Sequence, residues 1–299
     1  MKKVTASRLS SKKSQAILMM APFIILFFLF TAVPVIASMI LSFFSYDMIN
    51  KFQFNGLQNY LRMFSGDEIF PLVFKNTLLF AVITGPLGFI LSFCLAWFVN
   101  EFSPKVRTIL SFMFYAPSLV GNAFYIWQVA FSGDSYGYVN SLLLSLEIIT
   151  EPILWLNNSS YIFTIVVIVQ LWQSMGISFL ANISGLQNVN QEIYEVGAID
   201  GIRNRWQELW YITLPMMQNM LLFSAVMAIQ SSFSAGAISE VLAGYPSVEY
   251  SADMLVQYMA DVGTVKYEMG YASAMAVVLF LMMITARAIF VKVLNRTGK

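Results

Sequence analysis

Histidine is absent from the 299 residues of the chain, and charged residues make up only 11% of them. The commonest general base and the commonest metal ligand are therefore missing. The single cysteine, Cys94, lies in an apolar run, where we expect a small buried side chain, and it excludes a disulfide within the chain. A GxxxxGK[ST] phosphate-binding loop is also absent, which excludes ATP hydrolysis by that route. We predict a non-catalytic chain that binds no metal or cofactor of its own.

Apolar residues dominate what is present, at 58% of the chain with a mean hydropathy of +0.70, whereas soluble domains carry about 25% charged residues. A membrane span needs about 20 mainly apolar residues. The sequence predicts an all-α integral membrane protein with one membrane domain over 15–293, between a basic N-terminus (1–14) and a short tail (294–299). The six predicted spans are 15–44, 72–98, 108–131, 161–184, 213–239 and 270–293.

The first apolar segment follows five basic residues, so a cleaved signal peptide is an alternative to a first span. Its apolar core runs from Ala16 to Phe44, much longer than the roughly 7–15 residues of a signal peptide's apolar region. We therefore predict that it is a retained transmembrane helix.

The distribution of Lys and Arg predicts the orientation. With the N-terminus in the cytoplasm, 13 of the 17 basic residues fall on the cytoplasmic side, as the positive-inside rule expects. Both termini are then cytoplasmic. Acidic residues collect in the outer loops, where they form either a solvated face or a docking rim for an extracellular partner.

A polar, charged segment over about 188–212 separates the fourth and fifth predicted spans, on the cytoplasmic side. Asn188 or Asn190 can cap a helix here. Gly197 and Gly201 interrupt an otherwise good helix, and Asp200-Gly201 is a turn dipeptide, so we predict a helix, a turn and a second helix, followed by Pro215 near the start of the fifth span. The apolar residues that recur at intervals of three or four, as on one helix face, are Ile193, Val196, Ile199, Ile202, Trp206, Leu209 and Trp210.

This segment allows two interpretations. It could lie on the lipid headgroups, with Arg203 and Arg205 on anionic lipid. Its carboxylates, which include Glu195 and Asp200, argue against that because an anionic leaflet repels them. The alternative is that it is presented to a protein in the cytoplasm.

Polar side chains at membrane depth indicate a substrate path, because they are costly there and usually face the bundle interior. Amides and hydroxyls suit a neutral polyhydroxy ligand, since each can donate and accept hydrogen bonds. They can equally hold helices together. No span has a central charged residue, which disfavours an ion-coupled carrier. The candidate residues for this path are Asn122, Tyr125, Gln128, Gln173, Gln230, Ser231 and Ser232.

The motif EVGAIDG followed by ITLP resembles the cytoplasmic EAA loop of permease subunits of binding-protein-dependent ABC importers. Glu195 and Gly201 match that pattern in type and spacing. The Ala-Ala pair is replaced by Val196-Gly197, and ten residues, not nine, separate Gly201 from Ile212. The extra residue either rotates the second short helix by about 100° or is absorbed as a bulge. Further positions, among them Asn76-Thr77, Tyr115-Ala116-Pro117, Gly137 with Asn140, and Gly270-Tyr271-Ala272, resemble the carbohydrate-importer branch.

The resemblance implies a permease subunit in the cytoplasmic membrane of a bacterium, forming half of a pore for a sugar or oligosaccharide. It implies a second, non-identical permease, two ATP-binding-cassette subunits that hold ATP and Mg, and an extracytoplasmic solute-binding protein as partners. The residues expected to couple to the ATPase are Glu195, Gly197, Ala198, Asp200, Gly201, Arg203, Trp206, Ile212, Leu214 and Pro215.

Two other functions stay open at this point. A secondary transporter or channel would work without an ATPase, but it does not explain the cytoplasmic helix. An integral membrane enzyme would need clustered catalytic groups, and the missing histidine and scattered carboxylates argue against it.

Overall fold

The structure of the chain, a computed structural model, describes residues 2–49 and 52–297. Its α-helices are α1 Lys2–Phe27, α2 Val33–Leu41, α3 Gln58–Ser65, α4 Phe70–Asn100, α5 Pro104–Leu119, α6 Tyr125–Ala130, α7 Tyr138–Ser145, α8 Ile162–Gln173, α9 Ile177–Asn188, α10 Gln191–Ile199, α11 Arg205–Glu208, α12 Leu214–Met216, α13 Gln218–Phe233, α14 Gly236–Ala243, α15 Leu255–Thr264 and α16 Met269–Thr297. Two π-helical segments, Phe28–Ala32 and Leu209–Thr213, and one 3₁₀ turn, Val248–Tyr250, complete the helical elements of the described residues.

Five helical segments among the described residues are long and apolar enough to cross a membrane, and they correspond to five of the six predicted spans. They are Gln15–Leu41, Phe70–Asn100, Ile162–Asn188, Gln218–Ala243 and Met269–Val293.

The remaining predicted span, 108–131, is not one continuous helix, so the sixth span stays a prediction. It is divided between α5 and α6 by an irregular segment at 120–124. The 16 residues of α5 extend only about 24 Å at 1.5 Å per residue, less than the roughly 30 Å of a bilayer core. The break comes three residues after Pro117, which lies in the last turn of α5 and has no N–H to continue the ladder. It contains Gly121, a poor helix former.

The all-α prediction is also corrected in one place. Strand β1 (Phe44–Ser45) pairs antiparallel with β2 (Gln53–Phe54), with Phe44 opposite Phe54. Aromatic contacts hold this short ribbon, since the rings of Phe44 and Phe54 lie 5.5 Å apart and those of Tyr46 and Phe52 4.2 Å apart. The ribbon is too short to change the helical character of the fold.

The chain divides into two compact units, and the predicted domain bounds stay predictions. The first unit comprises Met1–Arg62 and Asp261–Val277. Within it, Gly270 packs directly beneath the Phe44 carbonyl, and its N–H donates to Tyr46 O at 3.1 Å. The Arg62 guanidinium pairs with Glu268 at 2.7 Å. These contacts tie the ribbon and α3 to the start of α16.

The second unit comprises Met63–Ala260 and Val278–Lys299. The long helix α4 packs against α9 and α13 at one end of the unit, with Phe179, Ile183 and Met217 in the core, and against α8 near the other end. Small residues allow the close approach that helices in membranes favour. A Cβ on Gly88 would lie 2.8 Å from Ser174 Oγ, for example. Cys94 of α4 is exposed, so the prediction that it is buried was wrong.

The loop between α14 and α15 is anchored to α4 by polar side chains. Asn76 Nδ2 donates to the carbonyls of Tyr250, at 2.8 Å, and Asp253, at 3.1 Å. Thr77 Oγ1 accepts from Leu255 N at 2.8 Å. The buried carboxylate of Asp253 accepts from Ser247 N at 3.1 Å and 3.2 Å. Burial raises the pKa of Asp253 above its ordinary value, against the lowering effect of the Ser247 hydrogen bonds.

Candidate functional site

The segment between α9 and α13, residues 189–217, holds the residues expected to couple to an ATPase and is called the coupling loop after that expectation; its first helix is α10. Asn190 caps α10, since its side chain accepts from Glu192 N at 3.1 Å. This selects Asn190 over Asn188, which is the last residue of α9. A side-chain oxygen at the N-cap satisfies one of the N–H groups that the first turn leaves unpaired.

A Schellman motif ends α10. Ile202 N donates to Gly197 O at 2.9 Å, and Gly201 N donates to Ala198 O at 3.4 Å, which is the 6→1 and 5→2 pattern of that motif. Gly201 has φ +96°, a conformation that glycine adopts without steric cost. Asp200 is the exposed residue that ends the helix. The predicted turn at Asp200-Gly201 is therefore observed.

The second helix of the loop, α11, has a cap that the sequence reasoning missed. Asn204 accepts from Gln207 N at 2.8 Å, and Gln207 Oε1 accepts in return from Arg203 N at 2.9 Å. The spacing Asn-x-x-Gln is close to that of a capping box, so the signal was present. This cap begins α11 at Arg205, four residues after Gly201.

The π-helical segment Leu209–Thr213 follows α11 directly. A π turn contains one more residue than an α turn, so this segment accommodates an added residue between Gly201 and Ile212 without rotating α11. Tyr194 OH lies 2.9 Å from Thr213 Oγ1, which joins α10 to the segment. Of the two alternatives for the extra residue, the geometry fits the bulge.

The apolar residues of the loop do not form the single face that their periodicity predicted. Gly197, Leu209 and Ile212 are buried. A second set of apolar side chains is exposed, and we call it the exposed apolar set: Val196 at 56%, Ile199 at 84%, Trp206 at 65% and Trp210 at 59%. Ala198, Arg203 and Pro215 are also exposed, and Leu214 is half-buried.

A polar cleft of 660 Å³ lies between the coupling loop and the junction of α4 and α5, and Glu195 is among its lining residues. Arg205 crosses it: Nη2 lies 2.7 Å from Glu101 and Nη1 lies 2.8 Å from Glu208. The hydrogen bond to Glu208 raises the pKa of Arg205 above its ordinary value, and Glu101 adds to this. The chain thus links its coupling loop to the α4–α5 junction by one guanidinium, a link absent from the predicted site.

Another cleft, of 290 Å³, lies at helix breaks within the predicted spans, and we call it the helix-break cleft. It is lined by Ser118, Gln173, Ser174, Gly176, Ile177, Ser178, Met227, Gln230, Ser231 and Ser234. The break between α8 and α9 falls at 174–176 and the break between α13 and α14 at 234–235. Breaks of this kind free backbone polar groups, which are tolerated at membrane depth where they line a cavity.

Three of the seven substrate-path candidates, Gln173, Gln230 and Ser231, meet at the helix-break cleft. Ser231 Oγ accepts a hydrogen bond of 2.9 Å from the buried Gln170. Oε1 of Gln173 is buried without a hydrogen-bond partner among the described residues, which leaves an acceptor free for another group.

The other four candidates lie elsewhere. Ser232 is buried, and its hydroxyl donates to Ala228 O at 2.9 Å. Gln128 donates to Val241 O at 3.2 Å. Asn122 and Tyr125 are exposed at the break between α5 and α6. Ser232 therefore fits the helix-packing interpretation and not the cavity-lining one.

The chain is similar to several known permeases. It is 31% identical to the probable ABC transporter permease protein YesP of Bacillus subtilis over 265 residues (87% of this chain and 84% of that protein). It is 30% identical to the arabinooligosaccharides transport system permease protein AraP of B. subtilis over 284 residues (94% and 89%). It is 30% identical to the lactose transport system permease protein LacF of Rhizobium radiobacter over 230 residues (74% of each chain).

The fold is also found in a solved structure. The crystal structure of a bacterial ABC transporter involved in the import of the acidic polysaccharide alginate contains a chain that superposes with a TM-score of 0.76 and 23% identity, covering 98% of this chain and 100% of that chain. Residues 85–297 match the family model described as binding-protein-dependent transport system inner membrane component. Because this match covers more than half of the chain, and five of its helical segments are long and apolar enough to cross a membrane, the chain belongs to the family of inner membrane components of binding-protein-dependent transport systems.

Proposed function

We propose that the chain forms half of the translocation pore of an ATP-driven importer for a neutral sugar or oligosaccharide. The relatives support the substrate class, since they include permeases for arabinooligosaccharides and lactose. The cleft residues agree with it, because Gln173, Gln230 and Ser231 offer uncharged donors and acceptors. Oε1 of Gln173 is buried here, so it would accept a hydrogen bond from a sugar hydroxyl once the cleft opens toward it.

The observation that carries the ATPase coupling is the exposed apolar set of the coupling loop. Two tryptophans and two branched aliphatic side chains are exposed on one short segment, and such a patch marks an interaction site. A groove on an ATP-binding-cassette subunit would accept α10, as helix-in-groove interfaces do. ATP and Mg belong to that subunit, and this chain binds no cofactor.

The proposed mechanism moves α10 as a rigid element. Closure of two ATPase subunits would shift the docked helix, and the bridge from Arg205 to Glu101 would pass that movement to the junction of α4 and α5. The pore would then change between an inward-open and an outward-open state, which nucleotide and a ligand-loaded solute-binding protein each bias. A second, non-identical permease would complete the pore, and both termini of this chain would face the cytoplasm of a bacterium.

The test is co-purification from the native membrane. The wild-type chain, carrying an affinity tag, is compared with a double variant, Glu195→Ala with Gly201→Asp. The matched control is Glu151→Ala with Gly56→Asp, because Gly56 also has a positive φ, of +56°, and space around it. We expect an ATP-binding-cassette subunit with the wild type and the control, and its loss in the coupling-loop variant.

Absence of an ATPase from all three samples in several mild detergents would contradict the proposal. A secondary transporter or channel would then be the better interpretation, and the coupling loop would be a lipid-surface element. Equal recovery of the ATPase with all three would place the coupling contact outside α10.

A further inference from the structure

Helix α7 lies between the α5–α6 pair and α8, and one buried side chain ties it to the segments before and after it. Asn140 is fully buried. Its Nδ2 donates to the carbonyls of Ser132, Asp134 and Ile153 at 3.0–3.1 Å. Its Oδ1 accepts from Ile153 N at 3.1 Å and Trp155 Nε1 at 2.8 Å. This set of bonds fixes the position and the rotation of α7.

The bond to Trp155 also ties α7 to aromatic residues beside the start of α8. The Trp155 ring lies 5.5 Å from Tyr161, the residue just before α8, and 6.2 Å from Phe131, the residue just after α6. Aromatic rings at the ends of spans mark the interface between membrane and water. This end of the Ile162–Asn188 span is the one opposite the coupling loop, so α7 is held beside the end of the span on that side.

The face of α7 that points away from Asn140 is apolar on one flank and polar on the other. Tyr138, Leu142 and Leu146 are four residues apart and are 72%, 59% and 58% exposed. Ser141 and Ser145, also exposed, adjoin this stripe on its other side at 100° per residue. A short helix with an apolar flank next to a polar flank is suited to lie in the plane of the interface.

We propose that α7 lies in the headgroup region of the outer leaflet, with Tyr138, Leu142 and Leu146 on the acyl chains and Ser141 toward water. Lipid is favoured over a protein partner because the tether through Trp155 holds the stripe at the level of the aromatic rings. The function of the helix is to anchor the loop before α8 at a fixed depth. The assignment to the outer leaflet rests on the proposed orientation, with both termini cytoplasmic, and it does not depend on what the chain transports.

The test measures the depth of nitroxide labels in the complete transporter in phosphatidylcholine nanodiscs. Cys94→Ser removes the native thiol, and single labels are placed with Leu142→Cys and Leu146→Cys. Ser141→Cys is the matched control on the same helix. We expect the labels at 142 and 146 to be accessible to oxygen but shielded from a water-soluble nickel chelate. The label at 141 should be accessible to the chelate.

Two results would overturn the proposal. If all three labels are equally accessible to the chelate, α7 is solvated. If the labels at 142 and 146 lose chelate accessibility only when the solute-binding protein is added, the stripe is a protein contact. The two stripe positions provide independent readings, so a folding defect in one variant does not remove the test.

Discussion

Ile212 Cδ1 occupies the space beside Gly197 so closely that a Cβ on Gly197 would lie 2.6 Å from it. The same Cβ would lie 3.1 Å from Ile202 Cδ1. Ile202, in the turn after α10, and Ile212, in the π-helical segment, thus close over one glycine of α10, because no larger residue leaves room for both. This packing joins α10 to the π-helical segment that leads into the membrane.

The first prediction concerns this contact. Gly197→Leu should destabilise the loop by about 1–3 kcal/mol, the usual cost of overpacking a buried site, and it should lower the midpoint of thermal unfolding in detergent. Ala198→Leu is the control, since Ala198 is the exposed neighbour and should change the midpoint little. Adding Ile212→Ala to Gly197→Leu should restore part of the loss; if the two changes were simply additive, the contact would not be the cause.

The second prediction concerns the turn. Gly201 has φ +96°, and nothing lies within 4 Å of its Cβ position. Gly201→Ala should therefore lower the free energy of unfolding by about 1–2 kcal/mol, the steric penalty of an L-residue in the left-handed region, and not through a clash with neighbours. Hydrogen exchange of residues 191–208 should become faster. Gly121→Ala is the matched control, because the Cβ position of Gly121 is equally open and Gly121 does not have a positive φ. Equal exchange rates in the two variants would exclude backbone conformation as the reason for this glycine.

The third prediction separates the two carboxylates that bind Arg205. Glu101→Gln should change stability by less than about 1 kcal/mol, because an exposed ion pair contributes little. It should nevertheless lower sugar import by the complete transporter, with the ATPase still co-purifying, since the link between the coupling loop and α4 is lost. Glu208→Gln removes only the bond within the loop and is the control. A loss of import that is equal in both variants would argue against transmission through Glu101.

The fourth prediction concerns pH. Burial raises the pKa of Asp253 above its ordinary value of 3.8, so the folded state binds the proton more tightly than the unfolded state. Stability should therefore fall as the pH rises through the window between 3.8 and the folded pKa. Asp253→Asn should flatten this part of the profile of thermal midpoint against pH. Glu249→Gln, an exposed change in the same loop, should keep the wild-type profile; a slope unchanged in Asp253→Asn would assign it to another group.

The fifth prediction concerns the helix-break cleft. Gln173→Ala should weaken the apparent affinity for the imported sugar by up to about tenfold, because one lost hydrogen bond is equivalent to roughly 0.5–1.5 kcal/mol. Ser232→Ala should leave that affinity unchanged, since its hydroxyl donates to Ala228 O within α13. The measurement is the concentration dependence of import into vesicles. The reverse order of effects would place the substrate path on the other side of α13.

Local sequence determined much of this protein. Runs of apolar residues predict five spans that the structure contains as helices, because length and hydropathy suffice for that. Asn190, Asp200 and Gly201 predict a helix and a turn from hydrogen bonds and backbone freedom that involve only near neighbours. The cap at Asn204 also depends only on near neighbours, so the Asn-x-x-Gln spacing was sufficient to predict it.

The tertiary structure decided what depends on residues far apart in the chain. It paired Arg205 with Glu101, divided the apolar residues of the coupling loop into a buried and an exposed set, and directed Ser231 but not Ser232 toward the cleft. Periodicity identifies which residues share a helix face but not which neighbour covers that face. The covering is set by packing among α4, α9 and α13, and such long-range contacts leave no local pattern from which they could be predicted.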